Sequence, residues 1–102
     1  SMALRSIPPR NANGTYTREQ VMPAGASPIR HILATSNTQM GFAFFGSAEG
    51  TDALADGAVI WGHPQGGTLD LRADVGHLVI NSLGGPIFVE NRTLGYLSIH
   101  VE

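Results

Sequence analysis

The acidic and hydroxyl side chains of this sequence are the first candidates for catalysis. The acid pairs Asp52/Asp56 and Asp70/Asp74 could in principle serve as the two carboxylates of a glycosidase. Their places in loops and on the polar face of an alternating segment are more typical of a solvated exterior. The segment Gly46-Ser47-Ala48-Glu49-Gly50 approaches the Gly-x-Ser-x-Gly turn of serine hydrolases, but its spacing is wrong. We therefore predict no catalytic residues and no enzymatic activity.

Metal binding would depend on histidine, because the chain has no cysteine to supply thiolate ligands. The segment His77-Leu78-Val79-Ile80-Asn81 matches the His-x-x-x-Asn end of the metal-binding pattern of cupins. Arg72 and Asp74 stand where that pattern has proline and glycine, and the sequence contains no His-x-His pair. We therefore predict no metal site and no cofactor. The other histidines are interpreted as structural or surface residues: His31, His63 and His100.

The composition is that of a small, weakly charged globular domain. Of the 102 residues, 42% are hydrophobic and 14% are charged, whereas about 25% is usual for the charged fraction. All six basic residues are arginine, and the net charge of −2 provides no basic footprint for nucleic acid. No apolar run approaches the roughly 20 residues of a membrane-spanning helix. We predict one domain that binds neither nucleic acid nor a membrane.

Alternating apolar and polar residues dominate the chain after residue 14, with turn residues about every 8–12 positions. This pattern predicts an all-β fold, a small β-sandwich or jelly-roll-like barrel of about eight short strands. Residues 1–14 are predicted to form an extended N-terminal arm, with Ser1 as a remnant of tag cleavage, and residues 15–102 a single domain. The predicted strands are 15–21, 29–35, 39–45, 58–61, 68–72, 77–82, 86–91 and 96–101, and Gly84-Gly85 indicates a hairpin before the seventh.

One predicted strand is apolar on both faces. Met40, Phe42 and Phe44 would share one face, and Phe45 would lie on the other. A strand buried on both faces of a two-layer domain needs a second cover. That cover could be the loop 49–57 or a second subunit, since subunit interfaces are rich in aromatic residues and poor in charge. These four residues are therefore interpreted as core or oligomer contacts.

Side chains that recognise sugars also occur in the sequence. Trp61 and Tyr96 could stack on a saccharide ring, and Arg92 could donate hydrogen bonds to it. Trp61 ends the apolar run Val59-Ile60-Trp61, which is more typical of core packing. The three residues define a candidate ligand site under an alternative hypothesis, that of a carbohydrate- or receptor-binding β-sandwich module.

Short strands with glycine-rich borders recur after residue 32, and a proline-containing segment precedes them. The segments are Ser36-Asn37-Thr38, Phe42-Ala43-Phe44-Phe45-Gly46, Gly57-Ala58-Val59-Ile60-Trp61-Gly62, Gly66-Gly67-Thr68-Leu69-Asp70-Leu71 and His77-Leu78-Val79-Ile80-Asn81. This layout resembles that of the small bacteriophage head-decoration (cement) proteins and related virion accessory proteins. The resemblance covers about 70 residues in addition to the arm.

The resemblance implies a structural role in a virion assembled in the host cytoplasm. Such a domain would associate with itself, with a trimer favoured, and would sit over junctions of the major capsid protein or another virion protein. Many weak contacts of this kind act together through multivalency. The arm would contact neighbouring subunits through Leu4, Ile7, Pro8 and Arg10. Under the alternative hypothesis the module belongs to a phage tail or a cell-surface assembly.

Overall fold

The computed structural model describes residues 4–25, 29, 31–51, 54, 60–63, 67–72 and 84–102. The regular elements of this part of the chain are eight β-strands. They are β1 (Leu4–Ile7), β2 (Thr17–Met22), β3 (His31–Ser36), β4 (Met40–Phe45), β5 (Ile60–His63), β6 (Gly67–Arg72), β7 (Ile87–Asn91) and β8 (Leu97–Val101). Within the described ranges there is no helix with the length and hydropathy of a membrane span.

The strands form two antiparallel sheets of four strands each, in the orders β1-β8-β3-β6 and β2-β7-β4-β5. This is the strand order of a jelly roll, in which most consecutive strands alternate between two packed sheets. The predicted all-β class and two-sheet arrangement are therefore confirmed. Strand β7 pairs with β2 on one edge and with β4 on the other. The predicted strand 77–82 lies outside the described residues.

The core lies between the sheets and is built from alternate side chains of both. In β8, Leu97, Ile99 and Val101 are buried and the two residues between them are half-buried, as the twofold period of a strand requires. Strand β4 departs from this rule because all six of its residues are buried. The rings of Phe42 and Phe44 meet edge to face in the core, with centroids 5.8 Å apart and an interplanar angle of 83°.

The first described residues do not form the free arm that was predicted for residues 1–14. Leu4–Ile7 is strand β1, which pairs with β8 in the register Leu4–His100 to Ile7–Leu97. Ile7 is wholly buried in the core, so its side chain is not available as an arm contact. The arm prediction was wrong here because four residues before two prolines are too few to display an alternation.

Candidate functional site

The four predicted core or oligomer contacts are all buried within this single chain. Met40, Phe42 and Phe44 belong to the hydrophobic core between the sheets. Phe45 lies on the outer face of its sheet, where the Arg18 guanidinium covers it at 3.6 Å from the ring centroid. Leu54 adds cover, since its amide donates to the Phe44 carbonyl at 2.9 Å and its side chain packs against the core. The chain therefore supplies the second cover of β4 itself.

An ion-pair cluster occupies the outer face of the β2-β7-β4-β5 sheet, here called the arginine face. Arg18 of β2 lies opposite Glu90 of β7 in the strand register. The Nε atoms of Arg18 and Arg92 donate to the two oxygens of Glu90, at 2.8 Å to Oε1 and 2.6 Å to Oε2. Arg18 also donates from Nη1 to the Ser47 carbonyl at 2.9 Å, which ties the following loop to this face. Both carboxylate oxygens of the buried Glu90 are thus engaged.

Substituting Glu90 by glutamine is expected to lower the free energy of unfolding by about 2–3 kcal/mol, because it leaves two part-buried guanidiniums without their shared charge partner. Urea unfolding followed by circular dichroism measures the change. Glu49→Gln is the matched control, since Glu49 is exposed and its substitution should stay within about 0.5 kcal/mol. Equal effects of the two substitutions would contradict a structural role for the cluster.

Tyr16 stands next to the cluster and is held there by a closed turn. The Gly14 amide donates to the Asn11 carbonyl at 2.9 Å, and the Asn11 amide donates to the Thr15 carbonyl at 2.8 Å. Gly14 has φ 89°, a conformation that glycine adopts without steric cost. The turn places Tyr16 just before β2, where the residue is 39% exposed. The guanidiniums of Arg10 and Arg92 lie 5.3 and 5.4 Å from the ring centroid.

An open cleft of about 550 Å³ lies between this turn and the loop after β4. Its volume falls within the range of roughly 300–1,000 Å³ seen for small-molecule sites. The lining offers one guanidinium, two carboxylates, two hydroxyls and one aromatic ring. These groups belong to Thr15, Tyr16, Arg18, Ala48, Glu49 and Glu90. The arrangement is suited to holding a small polar molecule against the arginine face.

Asn91 joins the N-terminal strand to the turn between β7 and β8. Its side chain is wholly buried, and Nδ2 lies 2.9–3.0 Å from the carbonyls of Ile7, Pro8 and Gly95. Its Oδ1 accepts from the Thr93 amide at 2.7 Å. These partners fix the orientation of the amide, because a flipped amide would set an oxygen among three carbonyls. The Asn91 side chain therefore joins the end of β1 to the turn between β7 and β8 through hydrogen bonds.

The two histidines whose side chains the structure describes, His31 and His100, lie on the same outer face of the paired strands β3 and β8. His31 pairs with Asp70, at 2.7 Å between Nε2 and Oδ1, and its Nδ1 lies 3.9 Å from Glu102 Oε2. His100 lies on the outer face of β8, and His77 is outside the described residues. Among the residues that are described, no group of three or more histidine, aspartate or glutamate side chains is placed to hold a metal ion.

The predicted arm contacts differ in how far the structure exposes them. Leu4 is 68% exposed at the start of β1, whereas Ile7 is buried and Pro8 is half-buried. The Pro9 carbonyl accepts from the Thr17 hydroxyl at 3.0 Å, so this stretch follows the domain surface. Arg10 is exposed and lies over Tyr16. Leu4 and Arg10 are the exposed members of this set, and Ile7 is the one that a partner could not reach.

The three residues of the alternative ligand site are not brought together by any described contact. Arg92 belongs to the arginine face, and Tyr96 is 62% exposed in the turn before β8. The side chain of Trp61 lies outside the described part of the chain. Sequence reasoning did not identify Arg18 and Glu90 as a pair, because only the pairing of β2 with β7 joins them. Comparison with protein-family models, with curated proteins and with solved structures found no match.

Proposed function

We propose that this protein is a structural, self-associating virion domain of the head-decoration type. Its partners are further copies of itself, in a trimer, and the major capsid protein or another virion protein. The observation that carries the proposal is the outer face of the β1-β8-β3-β6 sheet, here called the hydroxyl face. One row of this face consists of uncharged side chains on all four strands, which matches the depletion of charged residues at the centres of subunit interfaces.

The hydroxyl face has a regular cross-strand pattern. One row across all four strands consists of hydroxyl side chains, and the next row has Leu33 at its centre. Charged positions gather at one end, where His31 and Asp70 are paired. The first row is Ser6, Ser98, Thr35 and Thr68, and the second is Leu4, His100, Leu33 and Asp70. The charged groups Asp70 and Glu102 both lie beside His31, so the row of hydroxyl side chains itself contains no charged residue.

Association is tested by placing a charge at the centre of the hydroxyl face. Thr35 is exposed on the interior strand β3, so Thr35→Glu should leave the fold intact and repel a second copy. We expect light scattering to give a trimer for the unsubstituted protein and a monomer for Thr35→Glu. Thr51→Glu introduces the same charge at an exposed loop position and should remain trimeric.

Two results would contradict the proposed assembly. One is an unsubstituted protein that stays monomeric at all accessible concentrations, and the other is a Thr35→Glu variant that is still trimeric. The virion assignment has a separate test in the source genome. A capsid or capsid-protease gene beside this one supports it, and a neighbourhood without virion genes contradicts it.

A further inference from the structure

The exposed turn before β2 contains the two groups of an intramolecular reaction, a carboxamide and the backbone nitrogen that follows it. Asn13 is the one asparagine of the chain that precedes a glycine, and both residues are exposed. Among the described residues, no atom outside the chain neighbours of Gly14 lies within 4 Å of where a Cβ would stand. Glycine has no Cβ of its own to hinder an approach to its nitrogen. The Gly14 nitrogen and the carboxamide carbon of Asn13 can therefore close a five-membered imide ring.

The closed turn holds the attacking nitrogen in its unreactive form. The Gly14 amide donates to the Asn11 carbonyl at 2.9 Å, and the Asn11 amide donates to the Thr15 carbonyl at 2.8 Å. The Gly14 nitrogen must lose its proton in order to attack, and its hydrogen bond stabilises the form that keeps the proton. The turn therefore has to open before the nitrogen can react.

The carboxamide of Asn13 is held by the same turn. Its Oδ1 accepts from the Thr15 amide at 3.1 Å and from the Thr15 hydroxyl at 2.7 Å. The hydroxyl in turn accepts from Asn11 Nδ2 at 2.9 Å. These bonds hold the carboxamide towards Thr15, so its carbon is less free to turn towards the Gly14 nitrogen. All of them lie at exposed positions, where local opening costs less free energy than unfolding of the domain.

We propose that Asn13 is a site of self-modification, which the closed turn 11–15 restrains and which proceeds when the turn opens. The Gly14 nitrogen forms a bond to Asn13 Cγ, and the bond between Cγ and Nδ2 breaks. Nδ2 leaves as ammonia, with the proton that the Gly14 nitrogen has lost. Water then adds to one carbonyl of the imide and breaks its bond to the ring nitrogen. Addition at the side-chain carbonyl gives aspartate, and addition at the backbone carbonyl gives isoaspartate.

The product changes the turn in charge and in backbone length. One negative charge is added three residues before Tyr16, whose ring centroid lies 5.3 and 5.4 Å from the guanidiniums of Arg10 and Arg92. Isoaspartate also has one more methylene in its backbone, so the hydrogen bonds of the turn cannot all form again. The site precedes β2, which belongs to the sheet opposite the hydroxyl face. The modification therefore does not depend on the assembly proposed above.

The modification is measured by incubating the full chain at mildly alkaline pH, folded and in guanidinium chloride, and following its peptides by mass spectrometry. We expect Asn13 to gain the mass difference between a carboxyl and a carboxamide under both conditions. The rate should be at least about tenfold higher in guanidinium chloride, because the hydrogen bonds of the turn are then absent. Asn11 is the internal control. It precedes Ala12, whose Cβ hinders the attack, and should stay unmodified over the same period.

Thr15→Val tests the restraint by the turn. Valine keeps the β-branched shape and removes the hydroxyl, so two side-chain hydrogen bonds of the turn are lost. The rate at Asn13 in the folded protein should rise about fivefold, and the rate in guanidinium chloride should stay the same. Thr51→Val is the matched control, since it removes an exposed hydroxyl outside the turn. It should leave both rates unchanged.

Each of three outcomes would overturn the proposal. They are an unmodified Asn13 in guanidinium chloride, equal rates in the folded and denatured protein, and a folded Thr15→Val variant that reacts no faster than the unsubstituted protein. A slower reaction in Thr15→Val would mean that the hydroxyl assists the attack, by stabilising the negative charge on Oδ1, and does not restrain it. A circular dichroism spectrum of each variant confirms that the fold is retained.

Discussion

Replacing Asn91 by aspartate is expected to lower the free energy of unfolding by about 4 kcal/mol or more. The Nδ2 atom lies within 3.0 Å of three backbone carbonyls in a wholly buried position. An aspartate would set a carboxylate oxygen among those carbonyls, with no donor to satisfy them and no counter-charge. The loss is comparable with the whole stability of a small domain, about 5–15 kcal/mol. Urea unfolding at neutral pH measures it.

Two comparisons make this test specific. Asn13 is exposed, and its Oδ1 accepts from the Thr15 amide and hydroxyl at 3.1 and 2.7 Å. Asn13→Asp keeps those acceptors and should change stability by less than about 0.5 kcal/mol. Acidification from neutral pH to about pH 4 should restore part of the loss in Asn91→Asp, because burial raises the pKa of the new carboxyl above its unfolded value of about 3.9, and the protonated carboxyl has a donor. Equal effects of the two substitutions would contradict the role assigned to Asn91.

The fold class was predictable because the apolar and polar residues of a strand alternate according to which of its faces is buried. In β3 the buried residues Ile32, Ala34 and Ser36 alternate with more exposed ones, and each strand after the first can be recognised from such local information. β4 was also informative, since its two apolar faces indicated a second cover. The sequence alone does not distinguish a loop from a second subunit as the source of that cover, and it contains no signal that Arg18 lies over Phe45.

The candidate site was not predictable, because its contacts join residues that are distant in the sequence. Arg18 and Glu90 are 72 positions apart, and Asn91 is 84 positions from Ile7. Each looks ordinary in its own segment, since a charged residue on an alternating strand is usually solvated. These residues are brought together only by the pairing of β2 with β7 and of β1 with β8. A single sequence contains no local signal for either pairing.

The residues that suggested self-association in the sequence are buried inside the single chain. The aromatic strand no longer requires a partner, and Ile7 is part of the core. What remains is a row of uncharged hydroxyl side chains on one outer face and an ion-pair cluster on the other. The proposed contacts between copies are therefore assigned to the hydroxyl face, where Thr35→Glu tests them.

Phe44→Ala is expected to destabilise the protein by about 3–5 kcal/mol, the usual cost of removing a buried aromatic ring. Phe44 is wholly buried and meets Phe42 edge to face, so its removal loses both transfer free energy and ring contacts. Phe88→Ala is the matched control, because Phe88 is only half-buried on the outer face of the same sheet. Its cost should be smaller by about 1–2 kcal/mol. Should the two substitutions cost the same, β4 would not be the centre of the core, and a subunit partner would again be needed to explain its aromatic residues.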